Sequence, residues 1–476
     1  MIFPQKLTGS ILIQVVVFTS IALFLIGGLV NWGRLLIKTA DHQAARLQSF
    51  LIAESGTEYY RWHLSHDADD YQDGTGIAGP YIHNFKNKDD ITIGTFELTI
   101  APPEPGSTLV TIDSKGSTTN TPSSHRTIRT ELAFPSLAKY AVAANDTMRF
   151  GEGTEVFGPI HSNGGIRFDG IAHNIISSEE YSYKDPDHSA GDEYGVHTHV
   201  NPQDPLPDTP LPLRPDVFLA GRTVAAPPVD FDGITATLSD LKTKAQNGGN
   251  YFSSSGDQGY HIVLNTNDTF DIYTVTSMVP APDHCVSGEE SRTWSIQNES
   301  LLSNNAFPSN NVIFAEDHLW IDGTMNTARL TIAVGRFPEA PGQYKDIIIN
   351  HSILYTNYDG QDSLGLIAQG NISAGMVSDD ILRIDAALVA KNQRVGRYYY
   401  DPPKDGIDNC SPYHIRDTIT LYGMIATNQR YGFAYVDGTG YQHRNIIYDA
   451  NLLYGPPPNF PLTSDQYEII SWKEIE

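Results

Sequence analysis

The chain has 476 residues, more than one hydrophobic core ordinarily serves, and its 40 Gly, 29 Pro and 18% charged side chains argue against a helical bundle and for strands. Lys and Arg number 31 against 56 Asp and Glu, a net charge of −25 that disfavours nucleic acid and anionic lipid as partners of the folded body. Two cysteines, Cys285 and Cys410, are too few for a disulfide framework or an all-cysteine zinc site, and sequence leaves open whether they pair with each other.

The first element is the run ILIQVVVFTSIALFLIGGLV at 11–30, which carries no charge. About 20 such residues span roughly 30 Å of hydrocarbon as a helix. A cleaved secretory signal fits poorly, because its apolar core runs only about 7–15 residues and ends at a small-residue site. The pattern continues into helix-compatible sequence with Leu35, Leu36, Ala44, Ala45, Leu47, Leu51 and Ile52 at roughly helical spacing. One helix over 10–64 is therefore expected. Arg34, Lys38 and Arg46 follow the span and Lys6 precedes it, so charge by itself would keep the body inside the cell.

The segment MIFPQKLTGSILIQVVVF resembles the leader of a type IV prepilin: a short basic stretch, a glycine, then an uninterrupted apolar helix. The resemblance implies cleavage between Gly9 and Ser10 by a prepilin peptidase, a leader of 1–9, and a single-pass anchor in the cytoplasmic membrane with its body on the far side. It further implies packing of the N-terminal helix with other pilin-like subunits and with membrane lipid. Gln14 stands at the fifth mature position, where major pilins carry Glu, and Ser10 replaces the usual aromatic first residue. Together with IAESGTEYYRWHL at 52–64, this brings the chain nearer to the minor pilins. An ordinary single-span anchor is the alternative.

After the helix, β-runs at 91–101, 108–114 and 125–134 are separated by Pro-Pro-Glu-Pro-Gly and by a Ser/Thr/Asn/Pro stretch. They predict a small antiparallel sheet within 65–134, laid against the helix as in the pilin plan. Pro135 marks its end. From 135 to 476 short apolar runs ended by Gly, Asn and Asp recur at about 15–25 residues, which predicts a right-handed parallel β-helix-like body. A β-sandwich is the alternative. The stretches GPIHSNGG at 158–165 and GLIAQGNI at 365–372 resemble rungs of large surface domains attached to pilin-like helices. An interruption at 175–310, with a Pro-rich segment and one helix over 230–246, reads as an insertion beside the solenoid.

Catalytic signatures are missing from the sequence: there is no Gly-x-Ser-x-Gly elbow, P-loop, His-Glu-x-x-His or Rossmann glycine pattern. The chain is expected to be non-enzymatic, without cofactor, a component or adhesive tip of a pilus-like filament at the cell surface. The alternative is a membrane-tethered β-helix that binds or cleaves surface glycans, with Asp322, Asp379, Asp380 and Asp385 as its carboxylates. One cluster has metal-ligand chemistry: Asp185, Asp187, His188, Asp192, Glu193, His197 and His199. His197 and His199 alternate onto one strand face and, with Asp187, are the metal candidates, although a solvated loop of His and acids is the commoner state of such a segment. Asp359, Gly360 and Asp362, and the loop DGIDN at 405–409, offer oxygen ligands without the spacing of a calcium loop.

Overall fold

The computed structural model describes residues 10–104, 107–188, 191–207, 209–285 and 292–475, in two compact units. The first comprises 1–102, 110–132 and 469–476; the second comprises 103–109 and 133–468.

The first unit is built on helix α1, Ser10–His66, a single element of 57 residues. Every residue from 11 to 30 is exposed, including Phe24 at 83%. Farther along, Ala45, Ser49, Ile52, Ala53, Thr57, Tyr60 and Leu64 form a buried stripe. That stripe meets an antiparallel sheet of β1 (Tyr81–Lys86), β2 (Thr92–Ala101), β3 (Val110–Thr118) and β4 (Arg126–Ala133). Phe96, Leu98, Val110, Ile112, Ile128 and Leu132 supply its buried face. The approach is close, because a Cβ on Gly116 would lie 2.2 Å from the carbonyl oxygen of Ser49 and 2.4 Å from the nitrogen of Ala53. Small residues on both sides let the backbones meet, while the larger Leu47 and Leu51 are exposed. The sheet exceeds the expected three runs: β1 precedes them, and the C-terminal strand Glu468–Ile475 returns to pair beside β4. The body therefore does not run to residue 476.

The second unit is mainly parallel β, and the sandwich alternative falls away with its pairings. One column stacks, in spatial order, Asn250–Phe252, Val312–Ala315, Arg329–Val334, Ser363–Ala368, the second half of Ile381–Ala390 and the end of Ile415–Thr427. It continues through Val142–Ala144, Ile160–Ser162, Ile176–Ser178 and Arg222–Thr223. A second column runs through Ile353–Tyr355, the first halves of the two long strands, Gly440–Tyr448, Glu155–Val156 and Ile171–Ala172. A third comprises Ile347–Ile348, Ile372–Ala374 and Val395–Arg397. The inner face of the first column, with Ile313, Ile332, Leu366, Leu388, Ile425 and Ile160, belongs to the central core.

Its outer face is apolar as well. Phe314, Ala333, Ile367, Val389 and Met424 pack with helix α2 (Ile234–Gln246) through Leu238 and Leu241, and with Val229, Phe231 and Phe460. A parallel strand covered on both faces reads as a continuous apolar run, which is why SLGLIA and AALVA lack alternation. The interval 175–310, expected as an insertion, instead contributes Ile176–Ser178, Arg222–Thr223 and Asn250–Phe252 to the column and α2 to its cover. Antiparallel pairing among the described residues of this interval joins Gly259–Leu264, Thr269–Met278 and Ile296–Ala306 in one set, and Ser182–Lys184 with Asp192–Tyr194 in another. Cys285 and Cys410 form a disulfide, with Cys410 buried among Trp294, Trp320, Tyr398 and Tyr400.

Candidate functional site

The histidine–acid cluster lies in the second unit. Ser182–Lys184 pairs antiparallel with Asp192–Tyr194, placing Tyr183 opposite Glu193 and bringing Asp185 and Glu193 to the same end of the hairpin. The chain then turns at Gly195 into Val196–His197, which pairs in parallel with Ile166–Phe168. Two-residue alternation carries His197 and His199 to one side, with ring centres 5.2 Å apart. Both converge on Glu193. Nε2 of His199 lies 2.9 Å from Oε1 and 3.1 Å from Oε2 of that carboxylate, and Nδ1 of His188 lies 2.9 Å from Oε1. Nε2 of His197 contacts Oε2 of Glu193 and lies 3.6 Å from Oδ2 of Asp185.

Asp185, Glu193 and His197 are buried and His199 is half-buried. Each of the four offers a ligand atom, and those atoms lie within 4.8 Å of one another. Burial holds the imidazole of His197 below its ordinary pKa, against the attraction of Glu193 and Asp185. Asp187, the acid singled out from sequence, turns away from this group. Its Oδ2 takes Nη2 of Arg430 at 2.8 Å and lies 3.6 Å from Arg149. Burial opposes ionisation there, but the two guanidiniums hold the carboxyl below its usual range. Both arginines are remote in sequence, so spacing alone did not reveal that Asp185 and Glu193 take the place of Asp187.

The other candidates each have local partners. Asp322 accepts from His261 at 3.0 Å, and Asp379 lies 2.9 Å from Nδ1 of His351. Oδ1 of Asp380 accepts the backbone NH of Asp417 at 3.0 Å. Asp385 is fully buried, taking the Arg383 guanidinium at 2.8 Å and the hydroxyl of Tyr358 at 2.8 Å. Asp362 accepts the backbone NH groups of Ala328 and Asn357. Tyr398 and Tyr400 are core residues. Gly9 lies outside the described residues, and α1 starts at Ser10.

No protein-family model matches the chain, and no curated protein matches it. Among solved structures, the competence-associated pilin ComZ from Thermus thermophilus is similar at 12% sequence identity, over 90% of this chain and 97% of that chain, with a TM-score of 0.29.

Proposed function

We propose that this chain is a non-enzymatic, minor-pilin-like surface protein, a component or adhesive tip of a type IV pilus-like filament. The observation that carries this reading is the division of labour within α1. Its first 20 residues are apolar and exposed, while the stripe from Ala45 to Leu64 packs on the unit's own sheet. A helix that exposes so much apolar surface needs another apolar phase, first lipid and then the helices of neighbouring subunits. In this reading, Gly9 and Ser10 form the processing bond, the body lies outside the cytoplasmic membrane, and its acidic surface meets surface partners, glycans among them.

Intact-mass and N-terminal analysis of protein purified from the native membrane tests it. The expected mature chain begins at Ser10, and Gly9→Val leaves the leader attached. A membrane-inserted wild-type chain that still begins at Met1 removes the prepilin part of the proposal.

A further inference from the structure

Inside the body, a ring nitrogen of His197 and the carboxylates of Asp185 and Glu193 meet; His188 and His199 face Glu193, and neither reaches Asp185. Nδ1 of His197 lies 3.2 Å from the carbonyl oxygen of Tyr194. A carbonyl only accepts, so Nδ1 carries a proton, and Nε2 is the nitrogen that faces inward. That nitrogen faces Oδ2 of Asp185 and Oε2 of Glu193. Neither Nε2 of His197 nor Oδ2 of Asp185 has a hydrogen-bond partner among the described residues. The three residues are 1%, 3% and 4% exposed for His197, Asp185 and Glu193. Burying unmatched acceptors is costly, and carboxylates more so. Arg167 does not resolve it: Nη1 stays 3.8 Å from Asp185, and Nε is committed to Asp169 at 2.7 Å.

A cation at the centre satisfies all of these atoms together. We propose that Asp185, Glu193, His197 and His199 form a structural zinc site. Two imidazole nitrogens point away from calcium and magnesium, which take oxygen ligands, and two carboxylates neutralise a divalent charge. Tetrahedral zinc with bonds of about 2.0–2.2 Å sets its ligand atoms roughly 3.3–3.6 Å apart; the pairs of Glu193 with His197 and His199 would open slightly, and the widest pairs, within 4.8 Å, would close. Four protein ligands leave no open position, the mark of a structural rather than catalytic ion. The Tyr194 carbonyl behind His197 supplies the outer hydrogen bond that orients a zinc-bound imidazole. Asp169 anchors the backbone at His199, accepting its NH at 2.8 Å. The ion would fasten the Ser182–Tyr194 hairpin to the strand Val196–His197, and through it to Ile166–Phe168.

The test uses the full-length chain in detergent, purified without a polyhistidine tag and stripped with a strong chelator. Zinc chloride alone is expected to bind at one ion per chain, to survive gel filtration, and to raise the thermal midpoint above that of stripped protein. Cobalt(II) in its place should give the visible absorption of a tetrahedral site. His199→Gln, at a half-buried position that leaves the core packing intact, should weaken zinc binding at least tenfold. Wild-type protein that retains no zinc, or whose midpoint zinc leaves unchanged, overturns the proposal, as does equal stabilisation by magnesium or calcium.

Discussion

His261 shows how one buried residue makes stability depend on pH. Its Nδ1 lies 2.8 Å from Oε2 of Glu299 and its Nε2 3.0 Å from Oδ2 of Asp322. Burial alone would strip the proton, but hydrogen bonds to two carboxylates outweigh it and raise the pKa from 6.5 to about 9. The folded chain thus binds this proton more tightly than the unfolded chain. The stabilisation is fully present below pH 6.5 and is lost as pH rises through about 9. A gap of that size corresponds to on the order of 3 kcal/mol. Urea unfolding should show the wild-type advantage over His261→Gln shrinking across that window. A difference that stays constant from pH 6 to pH 9.5 would refute the assignment.

At the scale of elements, α1 makes the sharpest claim. Val16 and Leu23 lie within its exposed apolar stretch, and an Asp at mid-membrane costs about 2.5–3.5 kcal/mol. Val16→Asp with Leu23→Asp should move the chain out of the membrane fraction, and an unchanged fractionation would contradict the transmembrane reading. This helix was legible because length and composition suffice for it: the expected 10–64 compares with Ser10–His66. The buried stripe was not legible, because close approach selected small residues such as Ala45, Ser49 and Ala53 over the larger Leu47 and Leu51. Nor was the return of Glu468–Ile475 to the first sheet, since a strand's own pattern does not name its partner. The parallel body was readable from its short Gly-bounded runs, but α2 as the cover of a column was not. The candidate metal cluster divides the same way. Alternation placed His197 and His199 together, while the choice of Asp185 and Glu193 over Asp187 rests on Arg430, brought near by folding.

At the scale of the molecule, the stack of the body is not in chain order. Val142–Ala144, its first strand, pairs in parallel with residues 425–427 on one side and with Ile160–Ser162 on the other. The coils from 142 to 223 therefore build away from this seam, and the coils from 250 onward build back toward it. An asparagine ladder crosses the seam: Asn163 donates to Asn145 at 2.7 Å, and Asn145 donates to Asn428 at 2.7 Å over a separation of 283 positions. Contacts at such range slow folding, because the chain must be ordered before they repay the loop closure. In an ordinary solenoid each coil couples only to its neighbours in sequence. Here Ile425, fully buried in the central core, has the first coil of the body as its spatial neighbour. Ile425→Ala should cost about 2–5 kcal/mol. Hydrogen exchange on the variant should show amide protection falling at 142–144 and 160–162 as well as at 387–390, on both sides of the seam. If the loss is confined to 387–427 while 142–162 keeps its protection, the two runs of coils are energetically independent and the seam does not couple them.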